Sequence, residues 1–208
     1  MRNATRLLGI AALVAASVSC GDAVRQGSSP VFLVIDLLQG IRGGPTAGTP
    51  SSTLISDVIT NIISPAPCDA TNPCPTIFGD SGTVTLRAPL KDIGATAALA
   101  PTTNNEVTIN RIHVEYARAD GHNTQGVDVP FAFDGFVTGT ITAGGSLTLG
   151  FTLVRNVAKQ EAPLAQLRTS PNIITTMANV TFFGVDRVGN AISVTGKIQI
   201  EFGNFGDF

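Results

Sequence analysis

The stretch AISVTGKIQIEF at residues 191–202 decides the fold class. From Ile192 to Phe202 every even position is apolar or glycine, whereas Ser, Thr, Lys, Gln and Glu occupy the odd positions. A period of two is typical of a β-strand that buries one face and leaves the other in solvent. The stretch therefore predicts a long, half-buried antiparallel strand.

Two hairpins are predicted around turn residues. Asp186–Asn190 reads as a turn that joins this strand to an alternating run at 173–185. A second hairpin is predicted from the runs 136–142 and 147–154, which flank the sequence Ala-Gly-Gly-Ser. The chain therefore begins to look like a meander of antiparallel strands.

The upstream segments predict further strands. The alternation at 107–116 changes phase near Asn110 and Arg111, which favours a β-bulge there. The almost continuously apolar run at 31–38 favours a strand that is covered on both faces. Further expectations are a short strand at 83–90, a strand at 54–63 although a helical period also fits it, and helical composition at 156–167 interrupted by Pro163.

The sum of these segments predicts an all-β fold. Charged residues are 13% of the chain, about half the usual ~25%, which disfavours long solvated helices. We expect residues 31–208 to form one antiparallel β-sandwich of immunoglobulin-like type, with seven to eight strands. A chain of 208 residues fits a single domain of this kind.

The first residues predict export and lipidation. Arg2 and Arg6 precede an apolar run at 7–18, which is too short for a transmembrane helix of about 20 residues and is typical of a signal peptide at 1–19. The sequence Ala-Ser-Val-Ser-Cys-Gly-Asp at 16–22 resembles the lipobox of bacterial lipoproteins, although Ser17 stands where that motif prefers Leu. The resemblance implies that Cys20 is acylated and begins a short tether at 20–30. The alternative is an ordinary signal peptide that leaves Cys20 free or paired.

The lipobox resemblance also implies a location. We expect a bacterial cell envelope protein. In a host with an outer membrane, Gly21 stands where an Asp after the Cys would retain a lipoprotein at the inner membrane, so the outer membrane is the expected location. The tether is about 35 Å long at most, which would hold the domain near the membrane.

Two cysteines remain if Cys20 is lipidated. Cys68 and Cys74 lie in a proline-rich loop, and an even pair in an exported chain predicts a disulfide. The alternative, a metal site, would need two further ligands from elsewhere in the fold.

Few residues suggest catalysis. Gly79–Gly82 resembles the Gly-Asp-Ser-Gly sequence around the nucleophile of chymotrypsin-like proteases, but both histidines follow it in the chain, and we interpret it as a turn before a strand. His113 shares the polar parity of its strand, which favours a surface or cross-strand pair, and His122 lies in a polar loop. We therefore predict no enzyme, no catalytic residue and no cofactor.

The loop at 120–128 is a weak candidate for calcium. Asp120, Asn123 and Asp128 offer oxygen ligands, but the alternating spacing of an EF-hand is absent. A plain surface loop is the alternative, and we expect no metal as the default.

The segments at 118–130 and 180–196, together with the lipobox-like start, resemble a family of uncharacterised bacterial lipoproteins with an immunoglobulin-like β-sandwich domain. The resemblance implies an exported sandwich and carries no activity. The formal charge of −2, from 13 basic and 15 acidic residues, disfavours a nucleic-acid partner.

Two functions remain open at this point. The first is a structural or protein-interaction domain, attached to the membrane through its lipid and bound to an envelope protein. The second is an extracytoplasmic module that binds a glycan or Ca²⁺. It has few aromatic rings to offer, since Tyr116 is expected in the core. Phe131, Phe133 and Phe136 are the remaining candidate rings, although core positions are expected for them too.

Overall fold

A computed structural model describes residues 29–46, 48–91 and 102–206. The predicted signal peptide, Cys20 and nearly all of the tether lie outside these residues. The described chain is all-β and mainly antiparallel, as predicted. Its ten strands are β1 Val34–Ile41, β2 Thr53–Asp57, β3 Thr60–Ile62, β4 Cys74–Thr76, β5 Asp80–Arg87, β6 Val107–Ala117, β7 Phe133–Ile141, β8 Ser146–Val154, β9 Ile174–Asp186 and β10 Ala191–Gly203.

The larger sheet has five strands in the order β2-β10-β9-β6-β7. The predicted hairpin of β9 and β10 is confirmed, with Phe182 opposite Val194. The predicted bulge is confirmed too, because the register of β6 shifts between Ile109 and Arg111 against both of its neighbours. β2 runs parallel to β10 and places Leu54 beside Ile200, a pairing that no local pattern predicts.

A second sheet has three strands in the order β1-β5-β8, and β3 and β4 form a separate small ribbon. The prediction that β7 and β8 form a hydrogen-bonded hairpin is wrong, because each strand belongs to a different sheet. The reason is packing at Gly139 of β7. A Cβ there would lie 2.9 Å from side-chain atoms of both Leu147 and Leu149, so β8 lies across the face of β7 and not beside its edge.

The core lies between the three-stranded and five-stranded sheets. The rings of Phe151 and Phe182 meet edge to face at 5.4 Å between centroids, one from each sheet. Tyr116 of β6 donates its hydroxyl to the carbonyl oxygen of Leu153 in β8 at 2.7 Å. Leu153 needs this donor because the register of β5 and β8 shifts there and leaves it opposite no residue of β5.

Three local expectations differ from the structure. β1 is an edge strand with Leu37 48% exposed, so it is not covered on both faces. The run at 54–63 is strand in two pieces, β2 and β3, because the chain leaves the large sheet after Asp57. The segment 156–167 forms two 3-10 turns, Val157–Gln160 and Leu164–Thr169, on either side of Pro163.

Candidate functional site

Three charged side chains are buried together where β2 ends and β5 begins. Lys159 is 0% exposed, Asp80 1% and Asp57 2%. Lys and Asp are almost never fully buried unless they are paired. This group, with Arg42 at its rim, is called the charge cluster below.

Asp80 is the centre of the charge cluster. The Nζ of Lys159 lies 2.8 Å from its Oδ2, and the Ser56 hydroxyl donates to the same oxygen at 2.6 Å. The backbone N–H of Gly43 donates to Oδ1 at 2.8 Å. Both carboxylate oxygens are therefore satisfied although the side chain is sealed from solvent.

Asp57 connects the cluster to the surface. Its Oδ2 accepts from the guanidinium of Arg42 at 2.7 Å and from the Thr60 hydroxyl at 3.3 Å. Its Oδ1 accepts from the backbone N–H of Phe205 at 3.2 Å. Because the Arg42 side chain is 37% exposed, this pair is the part of the cluster that solvent can reach.

Lys159 joins three segments of the chain. Besides Asp80, its Nζ donates to the carbonyl oxygen of Asp57 at 2.8 Å, and its own carbonyl oxygen accepts from Arg168 at 2.8 Å. Burial lowers the pKa of Lys159, against the opposing effect of Asp80 beside it. The side chain therefore holds the first 3-10 turn against the ends of β2 and β5.

Glycines explain how the backbone reaches Asp80. A Cβ on Gly43 would lie 2.0 Å from the carbonyl oxygen of Gly79, so only glycine allows the two backbones to approach. The Gly79–Gly82 stretch is consequently not the turn that was predicted, since β5 already starts at Asp80. This contact brings the N–H of Gly43 onto the Asp80 carboxylate.

A cavity of about 680 Å³ opens beside Arg42. Its lining includes the loop after β1, with Gly43 and Gly48, and the β3 residues Thr60 and Ile62. It offers a single cationic side chain, mostly surrounded by small or apolar groups. Asp80 and Lys159 do not line it, so they are out of reach of a molecule bound there.

A second concave region lies between β7 and β8. This β7–β8 groove has a volume of about 580 Å³. Phe136 lines this groove, and 91% of its surface is exposed. The guanidinium of Arg155 stacks on Phe133 at 4.7 Å, and its buried Nε has no hydrogen-bond partner within the described part of the chain.

The aromatic expectations are met only in part. Tyr116 is buried in the core, at 3% exposure, as expected, and burial raises its pKa. Phe136 and Phe131, at 46% exposure, are not core residues, so that prediction is wrong for both. Phe136 points outward because it sits on the solvent parity of an edge strand, whose pattern alternates half-buried and exposed residues.

The two loop cysteines behave as predicted. Cys68 and Cys74 form a disulfide with a Cα–Cα distance of 5.4 Å. The bond closes the loop between β3 and β4 and does not join the two larger sheets. Cys20 lies outside the described residues, so its lipidation stays a prediction.

The candidate calcium ligands are engaged by their own loop. The carboxylate of Asp120 binds the guanidinium of Arg118, which holds its pKa below the usual range, and Asn123 Oδ1 accepts from the backbone N–H of Arg118. Asp128 accepts from the backbone N–H of Thr124 at 3.0 Å. No group of three or more His, Cys, Asp or Glu side chains in residues 29–46, 48–91 and 102–206 lies close enough together to hold a metal ion.

The two histidines lie apart from the charge cluster. His113 is paired across the strands with Asp134, Nδ1 to Oδ1 3.2 Å, as its parity predicted. Arg111 donates to the same oxygen at 2.8 Å and, ahead of other causes, lowers the pKa of Asp134. His122 is 70% exposed in its loop.

Sequence reasoning missed the charge cluster. Asp57 carried one usable signal, as the single acid inside an apolar run at 54–63. Lys159 carried none, because a lysine in a polar segment is ordinarily solvated. Only the fold brings these residues together, from positions 102 apart in the chain.

The sequence matches no protein-family profile. A search of curated proteins finds no significant match either. Within the described ranges, no helix has the length and hydropathy required to cross a membrane.

Proposed function

We propose that this chain is a lipid-anchored protein of the bacterial cell envelope, whose domain is an immunoglobulin-like sandwich that binds a protein partner and is not an enzyme. The observation that carries this proposal is the β7–β8 groove. It combines two sheet edges with an exposed aromatic ring.

The edges support binding of an extended segment. β7 ends the five-stranded sheet and β8 ends the three-stranded sheet, so among the described residues each strand has one side without a neighbouring strand. Such a side presents backbone donors and acceptors to a further strand. Gly150 of β8 leaves space at the groove, since a Cβ there would meet no atom closer than 4.0 Å.

The side chains of the groove support a protein ligand. Phe136 supplies apolar surface, and aromatic residues are enriched in the energetic centres of protein interfaces. Arg155 and Asp134 both line the groove, so it presents a charge of each sign to a bound segment. The partner is therefore expected to present an extended strand with an apolar side chain for Phe136.

The buried charges support the absence of catalysis. Asp80 and Lys159 line neither the cavity beside Arg42 nor the β7–β8 groove, and where Asp80 borders a third pocket of about 390 Å³ its side chain is buried. A substrate in either place would not touch them. His113 and Asp134 pair on the outer face of the sheet, where Arg111 already occupies the carboxylate.

Site-specific photo-crosslinking tests the groove. A photoreactive amino acid is placed at position 136 or, as a matched exposed control, at Val188, which is 70% exposed in the turn between β9 and β10. In intact envelopes we expect position 136 to give a discrete cross-linked protein that position 188 does not give. Equal products at both positions, or none at 136, would contradict the proposal.

The lipid anchor has its own test. Cells grown with a labelled fatty acid should label the wild-type protein and not the Cys20→Ala variant. The labelled protein should fractionate with outer membranes. Unlabelled wild-type protein would contradict the lipid anchor and would leave the proposal for the groove unaffected.

A second candidate function is favoured by one observation. The Phe136 ring, 91% exposed, could stack on a sugar. A glycan array would separate the two functions. Binding that is lost in Phe136→Ala would support a glycan ligand, and an array without hits would remove it.

A further inference from the structure

The amine and the carboxyl group at the centre of the charge cluster are held in contact out of water. Lys159 is 0% exposed and Asp80 1%, and the Nζ-to-Oδ2 distance is 2.8 Å. Burying two charges costs desolvation energy that their attraction often fails to recover. An amide made from the same two groups carries no charge, so its formation would remove that cost.

The two oxygens of Asp80 have different surroundings. Oδ1 accepts the backbone N–H of Gly43 at 2.8 Å, a rigid donor suited to stabilise negative charge on that oxygen. Oδ2 faces the Lys159 ammonium and the Ser56 hydroxyl at 2.6 Å, both proton donors. Oδ1 is therefore placed to remain as a carbonyl oxygen, and Oδ2 is placed to leave.

The lysine is also positioned. Its Nζ is held by the carbonyl oxygen of Asp57 at 2.8 Å, so the amine cannot swing away from Asp80. Burial lowers the pKa of Lys159, which favours transfer of its proton to the carboxylate. The neutral amine that results is a nucleophile.

We propose that Lys159 and Asp80 condense within the folded chain to an intramolecular isopeptide bond. The ammonium gives one proton to Oδ2, which makes a neutral amine and a carboxylic acid. The Nζ then attacks Cγ, and negative charge forms on Oδ1 beside the Gly43 N–H. The Cγ–Oδ2 bond breaks, a second proton from the nitrogen passes to Oδ2, and one water molecule leaves. No oxidant, reductant or other reactant is needed.

The bond would give the domain a covalent cross-link that the disulfide does not provide. It would tie the start of β5 to the 3-10 turn Val157–Gln160, which follows β8. The cross-link goes beyond the proposed binding function and is independent of the groove. The result of a test of the cross-link does not depend on whether a partner binds in the groove.

Mass spectrometry of the full-length protein tests the bond. The protein is purified from envelopes in detergent, reduced, alkylated and digested with trypsin, which cleaves after free Lys and Arg. A condensed chain should give residues 43–87 joined to residues 156–168, uncleaved at Lys159 and lighter than the two peptides by one water molecule. The reduced chain should also migrate faster than Lys159→Arg on a denaturing gel.

The matched variant Lys159→Arg keeps a cation but offers no amine, so residues 43–87, 156–159 and 160–168 should be recovered as three separate peptides. The wild-type digest decides the question even where a variant fails to fold. Recovery of wild-type residues 156–159 as a free peptide, with residues 43–87 at full mass, would overturn the proposal.

Discussion

Removing the hydroxyl of Tyr116 tests how the two sheets are joined. In Tyr116→Phe the ring and its edge-to-face contact with Phe202, at 6.0 Å between centroids, are retained. The lost group is the donor to the carbonyl oxygen of Leu153. The substitution thus isolates one buried hydrogen bond between the sheets.

The expected magnitude follows from the burial of the acceptor. Leu153 is 0% exposed and stands opposite no residue of β5, so water does not replace the lost donor. A buried polar group left without its partner costs about 1–3 kcal/mol. We therefore expect the free energy of unfolding to fall by about 2 kcal/mol, and the melting temperature by about 4–8 °C for a chain of this size.

Urea denaturation followed by circular dichroism measures the change. The midpoint should fall while the slope with denaturant stays the same, since the buried area is unchanged. Thr181→Val is the matched control. It removes the outer-face contact between the Thr181 and Thr195 hydroxyls, 2.8 Å apart, and should change stability by less than about 0.5 kcal/mol. A Tyr116→Phe variant as stable as this control would refute the reasoning.

Three further outcomes are expected. Replacing both disulfide cysteines with serine should lower stability by about 2 kcal/mol, because the closed loop is short, and calorimetry that shows no change would contradict this. Gly82→Ala should cost about 1–3 kcal/mol, since its Cβ would lie 2.3 Å from a core phenylalanine ring, whereas Gly150→Ala, with no atom nearer than 4.0 Å, should be near neutral in the same denaturation assay. The pKa of Asp134 is lowered in the folded state, so its interactions stabilise the fold above the ordinary aspartate pKa and are lost as pH falls through the lowered value. Arg111→Gln should raise that pKa in an NMR titration, and an unmoved midpoint would count against the pair.

The alternation of apolar and polar residues predicted those strands that bury one face in the core. The alternation from Ile192 to Phe202 and the phase change at Asn110 each reflect side chains that must point into the core. The β9–β10 hairpin and the bulge could therefore be predicted from the sequence. The cross-strand pairing of His113 could be predicted in the same way, because this residue lies on the polar face of its strand.

The sequence pattern did not predict pairings between segments that are distant in the chain or that face each other across the core. The β7–β8 turn looks like that of a hairpin, and only the leucines packed on Gly139 reveal that the strands face each other. The charge cluster joins Asp57, Asp80 and Lys159 through the packing of the whole fold, and no spacing along the chain encodes it.

The parallel pairing of β2 with β10 constrains the order in which the domain can be completed. Leu54 has its partner strand only after the residues around Ile200 have been synthesised, since β10 lies between β2 and β9. Until then β2 has no place in the five-stranded sheet. Contacts of such long sequence separation slow folding, so we expect the five-stranded sheet to be completed late, when β10 pairs with both β2 and β9.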